Sequence, residues 1–166
     1  DVPFEGVAVY AWHCDAEGRY SMYSSGVEDE TYLRGVQVAD ATGTVTLTSI
    51  FPACYSGRWP HIHFEVYPDL DSTSDSTNAI ATSQMAMPES VLADVYATSA
   101  YTESTRNLSQ VTLATDNVFG DDSGALQQIA ITGDVDSGYI SSFVARVDTT
   151  TTPTSGSAPS GGGGNR

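Results

Sequence analysis

The segment from Tyr55 to Tyr67 constrains this chain more than any other part of it. Its sequence is YSGRWPHIHFEVY. From Pro60 onward it reads as a strand, in which successive side chains point to opposite faces of a sheet. His61 and His63 therefore share one face, while Ile62 and Phe64 point the other way. The segment predicts a rigid strand with two imidazoles on one side.

Two imidazoles on one face of a strand form half of a metal site. A bare H-x-H pattern is more often a pair of surface histidines, but here two of the chain's three histidines lie close to Tyr55 and Arg58. Tyrosine favours iron(III), because a hard, highly charged ion lowers the phenol pKa enough to bind the oxygen as an anion. Zinc sites usually take Cys, His and carboxylate ligands, and copper electron-transfer sites need a Cys. Tyr20 would complete a set of two histidines and two tyrosines.

Three segments together resemble a known family. Residues 9–20 (VYAWHCDAEGRY), 51–55 (FPACY) and 58–64 (RWPHIHF) resemble the intradiol ring-cleavage dioxygenases, which are the catechol and protocatechuate dioxygenases with a non-haem ferric centre. The resemblance extends from about Gly6 to Val147. It implies a β-sandwich fold, one Fe(III) per chain, and a catechol-type aromatic substrate together with O2. The implied reaction is that of a catechol 1,2-dioxygenase-like enzyme, which cleaves the ring between the two hydroxyl-bearing carbons to give a cis,cis-muconate.

Carried over position by position, the resemblance also implies site residues. The implied metal ligands are Tyr20, Tyr55, His61 and His63. Tyr55 would also leave the metal when substrate binds and take up a substrate proton. Arg58 would stabilise negative charge on the substrate ring, and Gln84 matches the active-site glutamine of the family. For Gln84 the alternative is a polar residue that satisfies a strand end.

The chain departs from the family pattern in two places. Tyr10 stands where the family often has an acidic residue. The chain starts at Asp1, close to the first motif, whereas family members usually have another strand and a substrate-facing loop before it. We therefore expect an N-terminally trimmed core, with some pocket residues outside it.

Two other classes of protein remain open on the residues alone. One is a non-catalytic secreted β-sandwich binding module, in which the histidines have no chemical role. The other is a zinc-dependent sandwich protein, of hydrolase or transthyretin-like type, that uses the H-x-H strand. Metal content and colour distinguish the three, because only tyrosinate bound to iron(III) absorbs visible light.

Short strand-like runs separated by turns predict an all-β, antiparallel or mixed β-sandwich with one short helix. Residues 40–43 form a hairpin-like turn, and Pro88 opens a short helix that ends near Tyr96. The predicted strands cover residues 6–13, 32–39, 44–51, 60–67, 79–87, 127–132 and 138–148. Outside these strands, His13 is read as structural or solvated, and Trp12 and Trp59 as core or pocket-wall residues.

Composition limits the partners and the number of domains. The 166 residues contain no lysine and have a formal net charge of −15, which disfavours binding to nucleic acid or to an anionic membrane. Residues 1–148 are long enough for one core domain. Residues 149–166 are rich in Thr, Ser, Pro and Gly and predict a flexible linker or tail. A linker of this kind commonly leads to a carbohydrate-binding module.

The two cysteines lie beside two of the implied ligands. Cys14 precedes Tyr20 by six residues, and Cys54 directly precedes Tyr55. If both tyrosines reach one metal, the two cysteines share a neighbourhood, and we predict a disulfide between them. The alternative is a pair of buried free thiols. Together with the absence of lysine, the acidity and the tail, the bridge predicts a secreted, extracellular protein.

Overall fold

A computed structural model of the protein describes residues 2–148 and Thr150. Within these residues the fold consists of six strands, two α-helices and four short 3-10 helices. The strands are β1 (Ala8–Trp12), β2 (Arg34–Val38), β3 (His61–Tyr67), β4 (Ala81–Ala86), β5 (Ala130–Asp134) and β6 (Gly138–Ser142). The α-helices are α1 (Glu89–Tyr96) and α2 (Ser104–Leu108), and the 3-10 helices are Asp71–Ser74, Ser76–Asn78, Ser99–Tyr101 and Leu113–Thr115.

The first four strands form one antiparallel sheet in the order β2-β1-β3-β4. The histidine strand β3 is internal, since β1 and β4 pair with it on either side. Trp12 lies opposite both Arg34 and His63, and His63 lies opposite Gln84. These four residues therefore form a row across one face of the sheet, which we call the site face.

Each face of the sheet covers its own core. On the face opposite the site, Phe64 and Val66 pack with Val7 and Ala11, and Phe143 covers them at a ring separation of 5.7 Å from Phe64. On the site face, a larger cluster includes Trp12 and Tyr20 together with the buried side of α1. Mostly antiparallel sheets, few helices and apolar layers on both faces confirm the predicted β-sandwich class.

The start of helix α1 and its buried side are explained by the local sequence. Pro88 occupies the N-cap position, and Glu89 places an acid in the first turn, where the helix dipole favours it. Leu92, Val95 and Tyr96 are buried, a spacing that puts them on one side of the helix. The helix ends at Tyr96, as the sequence predicts.

Residues 44–51 are not a strand, which corrects one prediction. The turn before them is present, with the Asp40 N–H donating to the Thr44 carbonyl at 3.0 Å. The described residues provide no strand that pairs with it, and at its end the Tyr101 hydroxyl donates to the Phe51 carbonyl at 2.8 Å. The Tyr96 hydroxyl donates to the next carbonyl, that of Pro52, at 2.9 Å. Leu47 and Ile50 are exposed in this segment, so its apolar residues do not mark the buried face of a strand.

The closing hairpin is confirmed as β5 and β6, with shorter strands than predicted. The predicted linker or tail at residues 149–166 lies outside the described residues, apart from Thr150. In the part of the chain that the structure describes, no helix is both long enough and apolar enough to span a membrane.

Candidate metal centre

Four side chains from three separate segments converge on one point. The Nε2 atoms of His61 and His63 lie 3.0 Å apart. The Tyr20 hydroxyl lies 3.3 Å from the first of these nitrogens and 3.1 Å from the second. The Tyr55 hydroxyl lies 3.4 Å from His61 Nε2. The structure thus brings together all four side chains that the sequence marks as ligands.

These separations fit a metal ion. Donor atoms that each bind a metal at about 2 Å lie roughly 3 Å from one another. The His61 Nδ1–H donates to the Trp59 carbonyl, so the lone pair of this ring is on Nε2 and faces the cluster. A cation at the centre would relieve the crowding of electron-rich atoms there. Among the described residues no group of three or more His, Cys, Asp or Glu side chains is arranged for a metal. The donor atoms that converge here are two imidazole nitrogens and two tyrosine oxygens.

Burial sets the protonation of the cluster. It lowers the pKa of His61 to about 3, with Arg58 acting in the same direction, and the pKa of His63 to about 2, with His61 adding to the effect. Both imidazoles are therefore neutral, the form that binds metals. Burial also raises the pKa of Tyr20 and of Tyr55. Both phenols are neutral on their own, and a highly charged ion is needed to bind them as phenolates.

Asp15 organises the turn that places Tyr20. One oxygen of its carboxylate accepts the backbone N–H groups of Glu17 and Arg19, each at 2.9 Å. The other oxygen accepts from the Arg19 Nε–H and from the Tyr32 hydroxyl, also at 2.9 Å. Four hydrogen bonds to one carboxylate fix the chain directly before Tyr20.

Gly18 lets the two tyrosine-bearing loops meet. Its φ of +84° belongs to the left-handed region that glycine adopts without steric cost. A Cβ on this residue would lie 2.9 Å from the Cβ of Tyr55, closer than carbon atoms pack. The turn at Gly18 therefore lies directly against Tyr55.

Helix α2, which the sequence analysis did not predict, supports the second tyrosine. The Ser104 hydroxyl accepts from the Cys54 N–H at 3.0 Å, and the Asn107 side-chain amide donates to the Cys54 carbonyl at 2.9 Å. Both backbone groups directly before Tyr55 are thereby held by one short helix.

Two aromatic rings support the histidine strand. The indole of Trp12 stacks on the His63 ring with centroids 4.8 Å apart and an interplanar angle of 6°. Tyr10 also stacks on Trp12, with centroids 4.9 Å apart. Trp12 is therefore a wall of the centre, as the sequence predicts, and it limits rotation of the His63 ring.

Arg58 and Gln84 are in contact beside the cluster. The Arg58 Nη2–H donates to Gln84 Oε1 at 2.6 Å, and Gln84 lies opposite His63 in the sheet. The same guanidinium also binds Asp116, whose Oδ2 lies 2.9 Å from Arg58 Nε. Asp116 was not identified from the sequence.

His13 lies outside the four-residue cluster. Its Nδ1–H donates to the Cys14 carbonyl at 2.7 Å, and its Nε2 is 2.6 Å from the Ser49 hydroxyl. The side chain is buried and partnered on both nitrogens, which agrees with the structural role that the sequence suggests.

Cys14 and Cys54 are free thiols in the structure, which corrects the predicted disulfide. Each sulfur is directed at a different backbone carbonyl: Cys14 Sγ contacts Ala53 and Cys54 Sγ contacts Arg58, both at 3.5 Å. Burial raises the pKa of each thiol to about 12. The two cysteines share a neighbourhood but face different partners.

Comparison with known proteins agrees with this geometry. A family model described as Dioxygenase (Dioxygenase_C) matches residues 2–69, which contain all four converging side chains. The fold is similar to that of an intradiol ring-cleavage dioxygenase from Tetranychus urticae, with a TM-score of 0.74 and 25% identity over 89% of this chain and 73% of that one. The family model over residues 2–69 and these structural similarities support membership of the intradiol ring-cleavage dioxygenase family.

Two further solved structures are similar to this chain. A crystal structure of another dioxygenase has a TM-score of 0.65 and 28% identity over 79% of this chain and 65% of its own. The dioxygenase domain of a dioxygenase–carbohydrate-binding protein fusion from the cellulolytic bacterium Streptomyces sp. SirexAA-E has a TM-score of 0.54 and 23% identity over 84% of this chain and 66% of its own, and shows the fold. No curated protein matches the chain. The comparisons support a ring-cleaving dioxygenase in general, a class of enzyme that uses O2 and a small aromatic substrate.

Proposed function

We propose that this protein is a non-haem iron(III) dioxygenase that cleaves a catechol between its two hydroxyl-bearing carbons. Both oxygen atoms of O2 enter the product, a cis,cis-muconate. The observation that carries the proposal is the convergence of two tyrosine oxygens and two histidine nitrogens, with contacts of 3.0–3.4 Å between them.

The donor set supports iron(III) rather than zinc. Two phenolic oxygens are hard donors, which suit a hard trivalent ion, whereas zinc in proteins usually takes thiolate, imidazole or carboxylate. Bound there, iron(III) would supply a Lewis-acidic centre that holds the two catechol oxygens. The neutral imidazoles of His61 and His63 and the two phenolates would hold the ion in this oxidation state.

The two tyrosines differ in their freedom to move. Tyr20 is buried and its hydroxyl contacts both imidazoles, whereas Tyr55 is half-buried and its hydroxyl contacts His61 Nε2 and the Tyr20 hydroxyl. Tyr55 is therefore the better candidate to leave the centre as substrate enters. Released as a phenolate, its oxygen would take up a proton from a catechol hydroxyl.

Arg58 and Gln84 lie on the far side of His63 from Trp12. The guanidinium would offset negative charge that develops on the ring, a role for a preorganised cation in a site with little water. Gln84 Oε1 faces Arg58, so its amide N–H groups point away from the guanidinium. These groups would donate to an oxygen of the substrate.

Metal analysis, a visible spectrum and product analysis together test the proposal. We expect about one iron per chain, a visible absorption band from tyrosinate bound to iron(III), and consumption of one O2 per catechol with a cis,cis-muconate as product. Tyr20→Phe, Tyr55→Phe, His61→Ala and His63→Ala should each lose iron or activity with the fold retained. A colourless, zinc-loaded protein without ring cleavage would contradict the proposal, as would a metal-free protein that only binds a ligand.

A secreted, extracellular location is a second part of the proposal. It is supported by the absence of lysine, the net charge of −15 and the Thr/Ser/Pro/Gly composition after residue 148. The same composition supports a linker to a carbohydrate-binding module, the kind of fusion described for the Streptomyces protein. Recovery of the native protein from culture medium rather than from cells would support this location, and retention inside cells would contradict it.

A further inference from the structure

Asp116 is a fully buried carboxylate close to the metal centre. Its side chain is 0% exposed and that of Arg58 is 11% exposed. Oδ2 accepts from Arg58 Nε–H at 2.9 Å and from the Trp59 N–H at 2.8 Å. Oδ1 accepts from the N–H groups of Val118 at 2.8 Å and Phe119 at 3.1 Å, with a longer contact of 3.4 Å from Arg58 Nη2.

These contacts leave Asp116 no part in acid–base chemistry. A carboxylate offers about four acceptor positions, and four N–H groups occupy them here at 3.1 Å or less. Both oxygens are committed to the protein and none faces the cluster. Asp116 is therefore an anion with a purely electrostatic and geometric effect on its neighbours.

The contacts continue from Asp116 to the histidine strand. Arg58 uses Nε toward Asp116 and Nη2 toward Gln84 Oε1, so the plane of the guanidinium is fixed at two points. Gln84 lies opposite His63, and its amide orientation follows from the N–H that it accepts. A single line of hydrogen bonds thus joins the loop at residue 116 to the sheet position beside a ligand.

We propose that Asp116 is a positioning residue, which fixes the plane of the Arg58 guanidinium and, through it, the Gln84 amide at the edge of the metal centre. The inference rests on the proposed ring-cleavage function. The arginine side chain has several rotatable bonds, so a guanidinium without an anchor can shift its position. A misplacement of about 1 Å in such a group can lower a rate by 10²-fold. Asp116 supplies that anchor without touching the substrate.

The two oxygens of Asp116 have different partners, which allows the positioning of Arg58 to be tested separately from support of the local loop. Oδ1 closes the turn at residues 116–119, which Asn can also close with its carbonyl oxygen. Oδ2 faces two donors, Arg58 Nε–H and Trp59 N–H. In Asp116→Asn an NH2 group would face these donors, so the variant removes the arginine anchor while it keeps size and the turn.

The first test is a double-mutant cycle with chemical rescue. Asp116→Asn should lower kcat on catechol by roughly 10- to 100-fold, with a much smaller effect on KM. In an Arg58→Ala background, the same substitution should cause little further loss of kcat, because its target is absent. Millimolar guanidinium should partly restore kcat to Arg58→Ala but not to Arg58→Ala/Asp116→Asn. Equal losses in both backgrounds, or equal rescue, would mean that Asp116 only supports the loop.

A second test needs neither metal nor turnover. In the metal-free protein, the 15N-edited NMR signal of the Arg58 Nε–H should be shifted and protected from exchange by its bond to Asp116. Asp116→Asn should remove that protection and leave the signal of Arg19, which makes a 2.9 Å bond from Nε to Asp15, unchanged. Substitution of the exposed Asp71 by Asn is the matched control and should change neither signal.

The two tests separate failure of this inference from failure of the proposed function. If the protein cleaves no ring but the Arg58 signal depends on Asp116, the proposed reaction is wrong and the anchor stands. If ring cleavage is confirmed but the Arg58 signal does not respond to Asp116→Asn, the positioning role is wrong.

Discussion

At the scale of single residues, Gly18 has a larger effect than its size suggests. Gly18 and Gly26 have almost the same φ, +84° and +85°, but only Gly18 lies against another residue. Alanine at either position costs about 1–2 kcal/mol in the left-handed region. Gly18→Ala adds a clash with Tyr55, so we expect lower iron content and weaker colour in Gly18→Ala only. Equal iron content in both variants would show that the contact does not position Tyr55.

Asp116 also makes the fold sensitive to acid. Burial alone would raise its pKa, but hydrogen bonds from Arg58, Trp59 and Val118 outweigh burial and lower the pKa overall. The stabilisation is therefore complete above the unfolded-state pKa of about 3.9 and is lost as pH falls through the lower folded-state value. Asp116→Asn should be less stable than the wild type at neutral pH. In urea titrations of the metal-free protein, this difference should shrink below about pH 4, and a constant difference would contradict the pKa direction.

At the scale of elements, the two faces of β3 have separate roles. Phe64 is 6% exposed and packs in the core away from the site, whereas His63 belongs to the metal cluster. Phe64→Ala should lower the free energy of unfolding by about 3–5 kcal/mol while the folded fraction keeps its iron. His63→Gln should do the reverse, with iron lost and most of the stability kept. Urea midpoints and iron per folded chain measure both quantities, and loss of iron in folded Phe64→Ala would contradict the separation.

Side-chain alternation in the sequence was sufficient to predict strand β3, which carries the two histidines of the metal centre. Alternation of side chains placed His61 and His63 on one face, and the structure confirms this in β3. The same reasoning failed for residues 44–51, where Leu47 and Ile50 are exposed and the described residues provide no strand partner. At the end of the segment the Phe51 carbonyl accepts from the Tyr101 hydroxyl, a contact across 50 positions that no local pattern encodes.

The site contacts that were not predicted join residues that are far apart in the sequence. Asp116 reaches Arg58 across 58 positions of the chain, and the intervening sequence has no periodicity that would pair them. The four-residue cluster was predicted because a family resemblance supplied its geometry. The disulfide prediction was wrong for a related reason: nearness of Cys14 and Cys54 followed from the cluster, but the direction of each sulfur did not.

At the scale of the whole molecule, the reactivity of the two thiols reports how tightly the residues around the cluster are packed. Cys14 and Cys54 are each 1% exposed, and burial raises the pKa of both to about 12. In the native protein we expect neither to react with a thiol reagent at neutral pH, because thiolate and access are both lacking. In denaturant without reductant, two thiols per chain should titrate. If no thiol titrates under these conditions, the cysteines are joined by a disulfide and the free-thiol assignment is wrong.

The four converging side chains have two kinds of support. His61 and His63 lie on an internal strand that is hydrogen-bonded on both sides, whereas Tyr20 and Tyr55 lie on loops. Loops open at a lower free-energy cost than an internal strand does. A bound ion would therefore be released from the tyrosine side, and in rising urea the bleaching of the tyrosinate band would precede the loss of far-UV circular dichroism. The absorbance of the tyrosinate band would then report loop opening while the sheet is still intact.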